Sequence, residues 1–247
     1  MPTSLLIVFL VLMLAAMALG FAGHIFWVRF TGADGTPRTW KEALASGEVS
    51  ETLRILETDY IDKVRFFNLW LQLERIRQEQ IPGDLAELGV YKGETARLLR
   101  HAIPGRRLHL FDTFSGFAPE DLSQEAGEPA TYTPRHFSDT SPELVLRTIG
   151  TDQNIEIHKG YFPDTAVGME DTFFAFVHID ADLYQPTRAG LAFFYPRLSP
   201  GGVIIIHDHN RLWPGVMQAV REFQSQIPES FIQIPDKDSS VMLVKLR

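Results

Sequence analysis

From Pro82 to the C-terminus, short apolar runs alternate with helix-like segments, and few folds accept that alternation. The runs "DLAELGV" (84–90), "RLHLFD" (107–112), "NIEIHKG" (154–160), "FFAFVHID" (173–180) and "GGVIIIHD" (201–208) read as strands. Between them lie helical stretches at 93–103, 141–150, 185–198 and 214–227. Ser141 is placed to cap its helix, with Pro142 at the first helical position. Strands alternating with helices predict a parallel sheet wrapped on both sides. The near-continuous apolar strands fit burial on both faces. "SFIQIP" and "SVMLVKL" close the chain as a hairpin. The expectation is an α/β, doubly wound, seven-stranded and mostly parallel sheet. Ligands in such sheets bind beyond the carboxyl ends of the strands, near the topological switch point.

The first 81 residues are of another kind. Leu5 to Val28 contains no Asp, Glu, Lys or Arg, and at about 1.5 Å per residue it exceeds a ~30 Å hydrocarbon core. It reads as an N-terminal transmembrane helix over residues 1–30. No positive residue precedes it, which weighs against a cleaved signal peptide. Arg29, Arg38 and Lys41 follow it, so a single-pass membrane protein with a cytoplasmic catalytic domain is expected. Residues 31–81 read as a linker ("TGADGTPR") and a helical lid region, with residues 82–247 as the main domain. Thr39 and Glu42 have capping-box spacing. A helix is expected over Glu51–Leu56 and another over Asp62–Gln80, with Val64, Phe67, Leu71 and Ile76 on its apolar side. A net charge of -8 without a Lys/Arg cluster excludes a nonspecific nucleic-acid binder. The absence of cysteine removes thiolate catalysis and Cys-based zinc sites.

The strand ends carry the chemistry. The first strand runs into "ELGVYKG", with Glu87, Gly89 and Gly93. Glycines let backbone approach a ligand, and the following helix offers free N–H groups. Tyr91 fills the slot where a dinucleotide fingerprint needs glycine, so a nicotinamide oxidoreductase is disfavoured. Asp112 ends the second strand, 23 residues beyond Gly89, at the spacing of an acid that holds ribose hydroxyls. Asp180 ends the fourth strand, with Asp182 just beyond. His178 reads as a packed core histidine. The fifth strand ends in His207, Asp208 and His209. Asp180, His207 and Asp208 could converge, and two carboxylates with one imidazole suit an octahedral divalent cation. The competing reading is that these groups only cap strand ends.

"ELGVYKGETARLL", "LFDTFSGF", "HFSDTSPELV", "KGYFPDT", "VHIDADLYQPTRAGLAFFYPRLSPGGVIII" and "WPGVMQAVREF" together resemble the macrocin O-methyltransferase family. The resemblance covers Pro82 to Phe223. It implies a Rossmann-like fold and S-adenosylmethionine as cofactor. By position, Glu87, Gly89, Val90, Tyr91 and Gly93 would hold its methionine end, Asp112 its ribose, and Gly160, Tyr161 and Phe162 its adenine. Asp180 would be the first metal-binding acid. His207-Asp208 stands where the family has two adjacent carboxylates, and imidazole is a softer ligand that moves the preference from magnesium toward manganese, iron or zinc. His136 would be the proton acceptor. The implied reaction is methyl transfer to a hydroxyl of a sugar or polyol, assisted by magnesium or manganese. The anchor suggests a lipid-linked glycan acceptor, and the sequence leaves room for a homodimer. The alternative is a membrane-tethered, non-catalytic S-adenosylmethionine-binding or interaction module.

Overall fold

A computed structural model describes residues 3–31, 35–151 and 153–246; within the first helix, side chains are described for 9–24. The chain forms two compact units, Met1–Val49 and Ser50–Arg247.

The first unit holds α1 (Thr3–Thr31) and α2 (Arg38–Ser46). The apolar run is therefore a helix, and its described large side chains, from Phe9 to Phe21, are exposed. No helix among the described residues is long and apolar enough to cross a membrane. That finding overturns the expected single-pass anchor and the cytoplasmic placement derived from it. Residues 32–34 of the linker and the side chain of Arg29 lie outside the described residues. The capping box is not used: α2 begins at Arg38 behind Pro37, and Glu42 pairs with Arg38 at 2.9 Å. Gly47 closes α2 in the left-handed conformation that glycine adopts without a Cβ clash.

The second unit opens with α3 (Glu51–Asp59) and α4 (Lys63–Gln78). Ser50 and Asp62 cap them by accepting from the backbone N–H of Leu53 and Arg65. The buried side of α4 is Phe66, Phe67, Leu69, Trp70, Leu73 and Ile76. Val64, expected on that side, is 45% exposed. Phe67 and Ile76 pack as expected, Leu71 is only half-buried, and Phe66, Leu69, Trp70 and Leu73 widen the stripe beyond the one the periodicity suggested.

The sheet contains β1 (Asp84–Leu88), β2 (Leu108–Asp112), β3 (Ile155–Lys159), β4 (Phe174–Ile179), β5 (Leu198–Ile206), β6 (Ile232–Gln233) and β7 (Val241–Val244). Its order is β3-β2-β1-β4-β5-β7-β6. β1 to β5 are parallel; β7 is antiparallel to β5 and to β6. The crossovers carry α5 (Glu94–Ala102), α6 (Pro119–Leu122), α7 (Pro142–Ile149) and α8 (Tyr184–Arg197), and α9 (Pro214–Gln224) precedes the final hairpin. The sheet is the expected doubly wound one, with its switch point between β1 and β4.

Successive residues of a strand face opposite sides. On one face, Leu88, Phe111, Ile179, Ile204 and Ile206 join a core with Leu191 and Phe194 of α8. Gly190 lets α8 sit against Leu88 and Ile179, since a Cβ there would come within 3.0 Å of both side chains. Glu87 and His178, directly paired across β1 and β4, point to the other face. That face is covered by α4 and α5.

Candidate functional site

The ladder hydrogen bonds run one residue past the strands and line up the mouth of the sheet. Gly160 N donates to the Asp112 carbonyl at 3.0 Å, and Gly89 N to the Phe111 carbonyl at 2.9 Å. Asp180 N donates to Leu88 at 2.8 Å and His207 N to Ile179 at 2.9 Å. Gly160, Asp112, Gly89, Asp180 and His207 thus form one row across five parallel strands. They come from five separate stretches of sequence.

Gly89 is needed in that row. Its φ is 86°, and a Cβ would stand 1.9 Å from the Asp180 carbonyl oxygen. Gly93 also has positive φ, at the start of α5, and a Cβ there would meet Val145 of α7. Between them Tyr91 is held at φ 49° by its neighbours. Its hydroxyl donates to Asp139 at 2.9 Å, its carbonyl accepts from Thr140, and Lys92 reaches the other Asp139 oxygen at 2.6 Å. The glycine turn is therefore fastened to the segment before α7, a link with no signal in the sequence.

Asp112 fastens the turn from the other side. Its Oδ2 accepts from the backbone N–H of Val90 at 2.8 Å and Tyr91 at 2.9 Å, and its Oδ1 from Phe114 at 2.7 Å. An ionised carboxylate has about four acceptor positions. Three are occupied, so Asp112 builds the turn before it can hold a ligand. Glu87 is buried, with Oε1 at 3.1 Å from His178 Nδ1. Its Oε2 and His178 Nε2 have no hydrogen-bond partner. Burial pushes the Glu87 carboxyl well above its usual range, and the Asp180 and Asp112 charges push it further. Burial also takes the His178 imidazole down to about 4. Orphaned buried polar atoms are costly, and a cationic ligand group at Glu87 would relieve one.

Beyond β3, the expected trio separates. Gly160 belongs to the row at the mouth. Tyr161 is 41% exposed, and its hydroxyl donates to Asp121 at 2.9 Å. Phe162 is in the core, its ring against Phe111 and Phe194 at centroid distances of 5.3 and 5.5 Å.

Asp180, His207 and Asp208 do converge. Each offers one donor atom, and the three atoms lie within 4.8 Å of one another. His207 Nδ1 stands 3.0 Å from Asp180 Oδ1 and 3.0 Å from Asp208 Oδ1. Neither contact has the angle of a good hydrogen bond, so both ring nitrogens are unsatisfied. Adjacent donors about 2.1 Å from an octahedral ion stand about 3 Å apart, so the spacing fits a divalent cation. Without an ion, the imidazole supplies the positive charge. Burial alone would lower it, but Asp180 and Asp208 raise it to about 10. In turn His207 outweighs burial at Asp180 and drives that carboxyl far down. Asp182 is pushed well up by burial and by the Asp180 and Asp208 charges. Asp182 and Asp208 both have φ of 59°, a conformation aspartate tolerates better than most residues. His209 donates its backbone N–H to Ser239 and takes no place among the three.

Arg65 of α4 is a site residue that the sequence did not reveal. Its guanidinium lies 3.4 Å from Asp238 and 3.8 Å from Asp236, and it acts electrostatically on Asp180 and Asp208. In sequence it is one arginine among several in a helix, 115 residues from Asp180.

His136 sits on an exposed stretch of the long 113–140 connection. Its Nδ1 accepts from the Thr133 backbone N–H at 2.8 Å. The neutral ring therefore carries its proton on Nε2, and the lone pair needed for proton abstraction is already engaged. Around it is an aromatic wall that the sequence reading passed over. Phe117 and Tyr132 stack at 5.5 Å, Tyr132 and His136 at 5.1 Å, and Phe137 meets Tyr91 edge-on at 5.1 Å. Burial, with the nearby charges of Asp182 and Asp208 added, pushes the Tyr132 hydroxyl up to about 12. The wall thus stands beside the acidic cluster.

A family model described as macrocin O-methyltransferase matches residues 50–240. One relative is the 8-demethyl-8-(2,3-dimethoxy-alpha-L-rhamnosyl)-tetracenomycin-C 4'-O-methyltransferase of Streptomyces olivaceus, 30% identical over 59% of this chain and 60% of its own length. The demethyldecarbamoylnovobiocin O-methyltransferase of Streptomyces niveus is 30% identical over 68% of this chain and 71% of its own. The solved structure of the O-methyltransferase NovP superposes with a TM-score of 0.64 at 27% identity, covering 75% of this chain and 81% of the other.

Proposed function

Since the chain belongs to the macrocin O-methyltransferase family, and so is an S-adenosylmethionine-dependent O-methyltransferase, we propose that its acceptor is a hydroxyl of a sugar or related polyol and that a divalent cation assists the transfer. The observation that carries the metal reading is the buried, unsatisfied His207 ring between two carboxylates 3.0 Å away. The sugar reading rests on the rhamnosyl group in the name of the Streptomyces olivaceus relative and on the Phe117–Tyr132 wall beside the acidic cluster. Flat aromatic faces suit the C–H faces of a sugar ring. The non-catalytic alternative has no observation in its favour.

Glu87 and the Gly89–Gly93 turn receive the methionine end of the cofactor, with Glu87 Oε2 open to its ammonium group. Asp112 keeps one acceptor position for a ribose hydroxyl. Gly160 leaves room at the adenine end; Phe162 supports that end from the core. Asp180, His207 and Asp208 hold the cation, in competition with the proton on His207. Bound S-adenosylmethionine supplies the methyl group, and a bound divalent cation would supply Lewis acidity toward an acceptor hydroxyl. Arg65 offsets the excess negative charge that Asp236 and Asp238 bring to the cluster. The helices α3 and α4 and the 113–140 connection serve as the lid over the domain at 82–247, excluding water and strengthening the electrostatics beneath. His136 accepts the proton only if the Thr133 hydrogen bond opens, a rearrangement acceptor binding would have to drive.

The test uses labelled S-adenosylmethionine, a panel of glycosides and sugar nucleotides beside phenolic acceptors, and a series of magnesium, manganese and zinc concentrations. Transfer to a sugar hydroxyl that requires a cation is expected. Asp180→Ala should abolish cation-dependent turnover and leave cofactor affinity, measured by calorimetry, nearly unchanged. Full turnover in the presence of chelator would remove the metal from the mechanism, and transfer confined to phenols would remove the sugar.

A further inference from the structure

On the other face of the sheet, two histidines and a glutamate meet that methyl transfer does not use. His109 of β2 is 2% exposed. Its Nδ1 lies 3.0 Å from His158 Nε2 and 3.4 Å from Glu156 Oε2, both on β3. The donor atoms of these three residues lie within 4.8 Å of one another. His109 pairs in register with Glu156 and Phe111 with His158, so all four side chains share one face. It is the face of Phe174 and Phe194, whereas Asp180 and His207 lie beyond the strand ends with Glu87 and His178 on the opposite side. This cluster is therefore separate from the methyl-transfer site.

The hydrogen bonds around it decide what it can hold. His109 Nε2 is 3.1 Å from Asp84 Oδ2. An imidazole facing a carboxylate presents N–H, which leaves Nδ1 with its lone pair. His158 Nε2, 3.0 Å from that lone pair, donates to it in the metal-free chain. Displacement of that one proton by a metal ion leaves two imidazole lone pairs and a carboxylate oxygen facing one point. Donors bound about 2.0–2.1 Å from a tetrahedral ion stand roughly 3.3 Å apart, close to the two distances here. A ligating histidine whose other nitrogen donates to a carboxylate is the usual outer-shell arrangement of such sites, and Asp84 stands in that place. Asp84 also lines an open cavity of about 580 Å³, and Glu156 is itself exposed to solvent.

We propose that His109, His158 and Glu156 form a second metal site, for zinc or a similar divalent transition ion, with Asp84 orienting His109. The site ties the edge strand β3 to β2, so its occupant stabilises the sheet and leaves the chemistry at the mouth alone. Glu156 also pairs with Arg107 at 3.0 Å through its other oxygen, which keeps Oε2 turned toward His109.

The test is zinc titration of the full chain, read by calorimetry and by the imidazole ¹⁵N resonances, in wild type and in Asp180→Ala, which disables the other cluster. One zinc per chain is expected to bind in Asp180→Ala, shifting the His109 and His158 resonances and raising the Tm with zinc concentration. Asp84→Asn should weaken that event about 10–100-fold, the usual cost of losing an outer-shell partner. Glu156→Gln, at an exposed position, should weaken it as well. If zinc leaves the His109 and His158 resonances of the folded wild type unmoved, or if Asp84→Asn and Glu156→Gln bind as tightly as wild type, the proposal fails. Loss of all zinc binding in a folded Asp180→Ala chain would also overturn it. None of these readouts depends on methyl transfer.

Discussion

A methyl group added at Gly89 has nowhere to go. The backbone of Asp180 fills the space, and φ at 86° is strained for any residue with a Cβ. Gly89→Ala should cost at least about 1–3 kcal/mol from backbone strain alone, with the collision added, and should abolish S-adenosylmethionine binding. Denaturant unfolding and calorimetry check the two effects separately. Asp112 makes a similar point from the opposite direction. Its distance from Gly89 in sequence suggested a ribose ligand, yet three backbone N–H groups already hold its carboxylate. Asp112→Asn is expected to loosen the glycine turn, lowering cofactor affinity and protein stability together. A loss of affinity with unchanged stability would assign Asp112 to the ligand alone.

At the scale of elements, caps and periodicity were legible to different degrees. Ser141 accepts from Leu144 N at 3.2 Å with Pro142 behind it, as its sequence suggests. Ser141→Ala should lower stability by about 1 kcal/mol, the usual cost of a lost N-cap, and a Tm shift measured by calorimetry tests it. Because α7 packs on α5 and its Val145 abuts Gly93, the same variant should slightly weaken cofactor binding. Thr39-x-x-Glu42 has the same grammar but no cap, since the helix starts two residues earlier, with Pro37 in the cap position. A cap pattern states only what a side chain can do; tertiary context sets where the helix begins. The 3.6-residue count found Phe67 and Ile76 but not the rest of the buried side of α4, for a related reason. α5, β4 and β5 all receive it, so the buried stripe is wider than a single contact line.

At the scale of the whole molecule, a buried carboxyl links function to stability. The folded chain holds Glu87 protonated above the pH at which the unfolded chain would release that proton. In that window the native state binds more protons, so stability falls as pH rises from the ordinary carboxyl range. The slope from one such group is at most about 1.4 kcal/mol per pH unit. Glu87→Gln should flatten this decline, so that its stability relative to wild type improves at higher pH, while S-adenosylmethionine affinity drops. Urea unfolding of both proteins across pH 4 to 8 reads the slopes directly.

Local alternation determined most of the fold by itself. Strands buried on both faces and separated by helices have one economical arrangement, and the polar residue ending each apolar run necessarily lands at its mouth. Asp112, Asp180, His207 and Asp208 were therefore visible before any coordinates. The tertiary structure decided what those residues do with one another. It placed Arg65 against the acidic cluster, spent Phe162 in the core, engaged the lone pair of His136 and brought His109 to His158. Each of these depends on where a side chain points and on what a distant segment brings to it. Periodicity is a property of near neighbours along the chain and carries no record of such meetings.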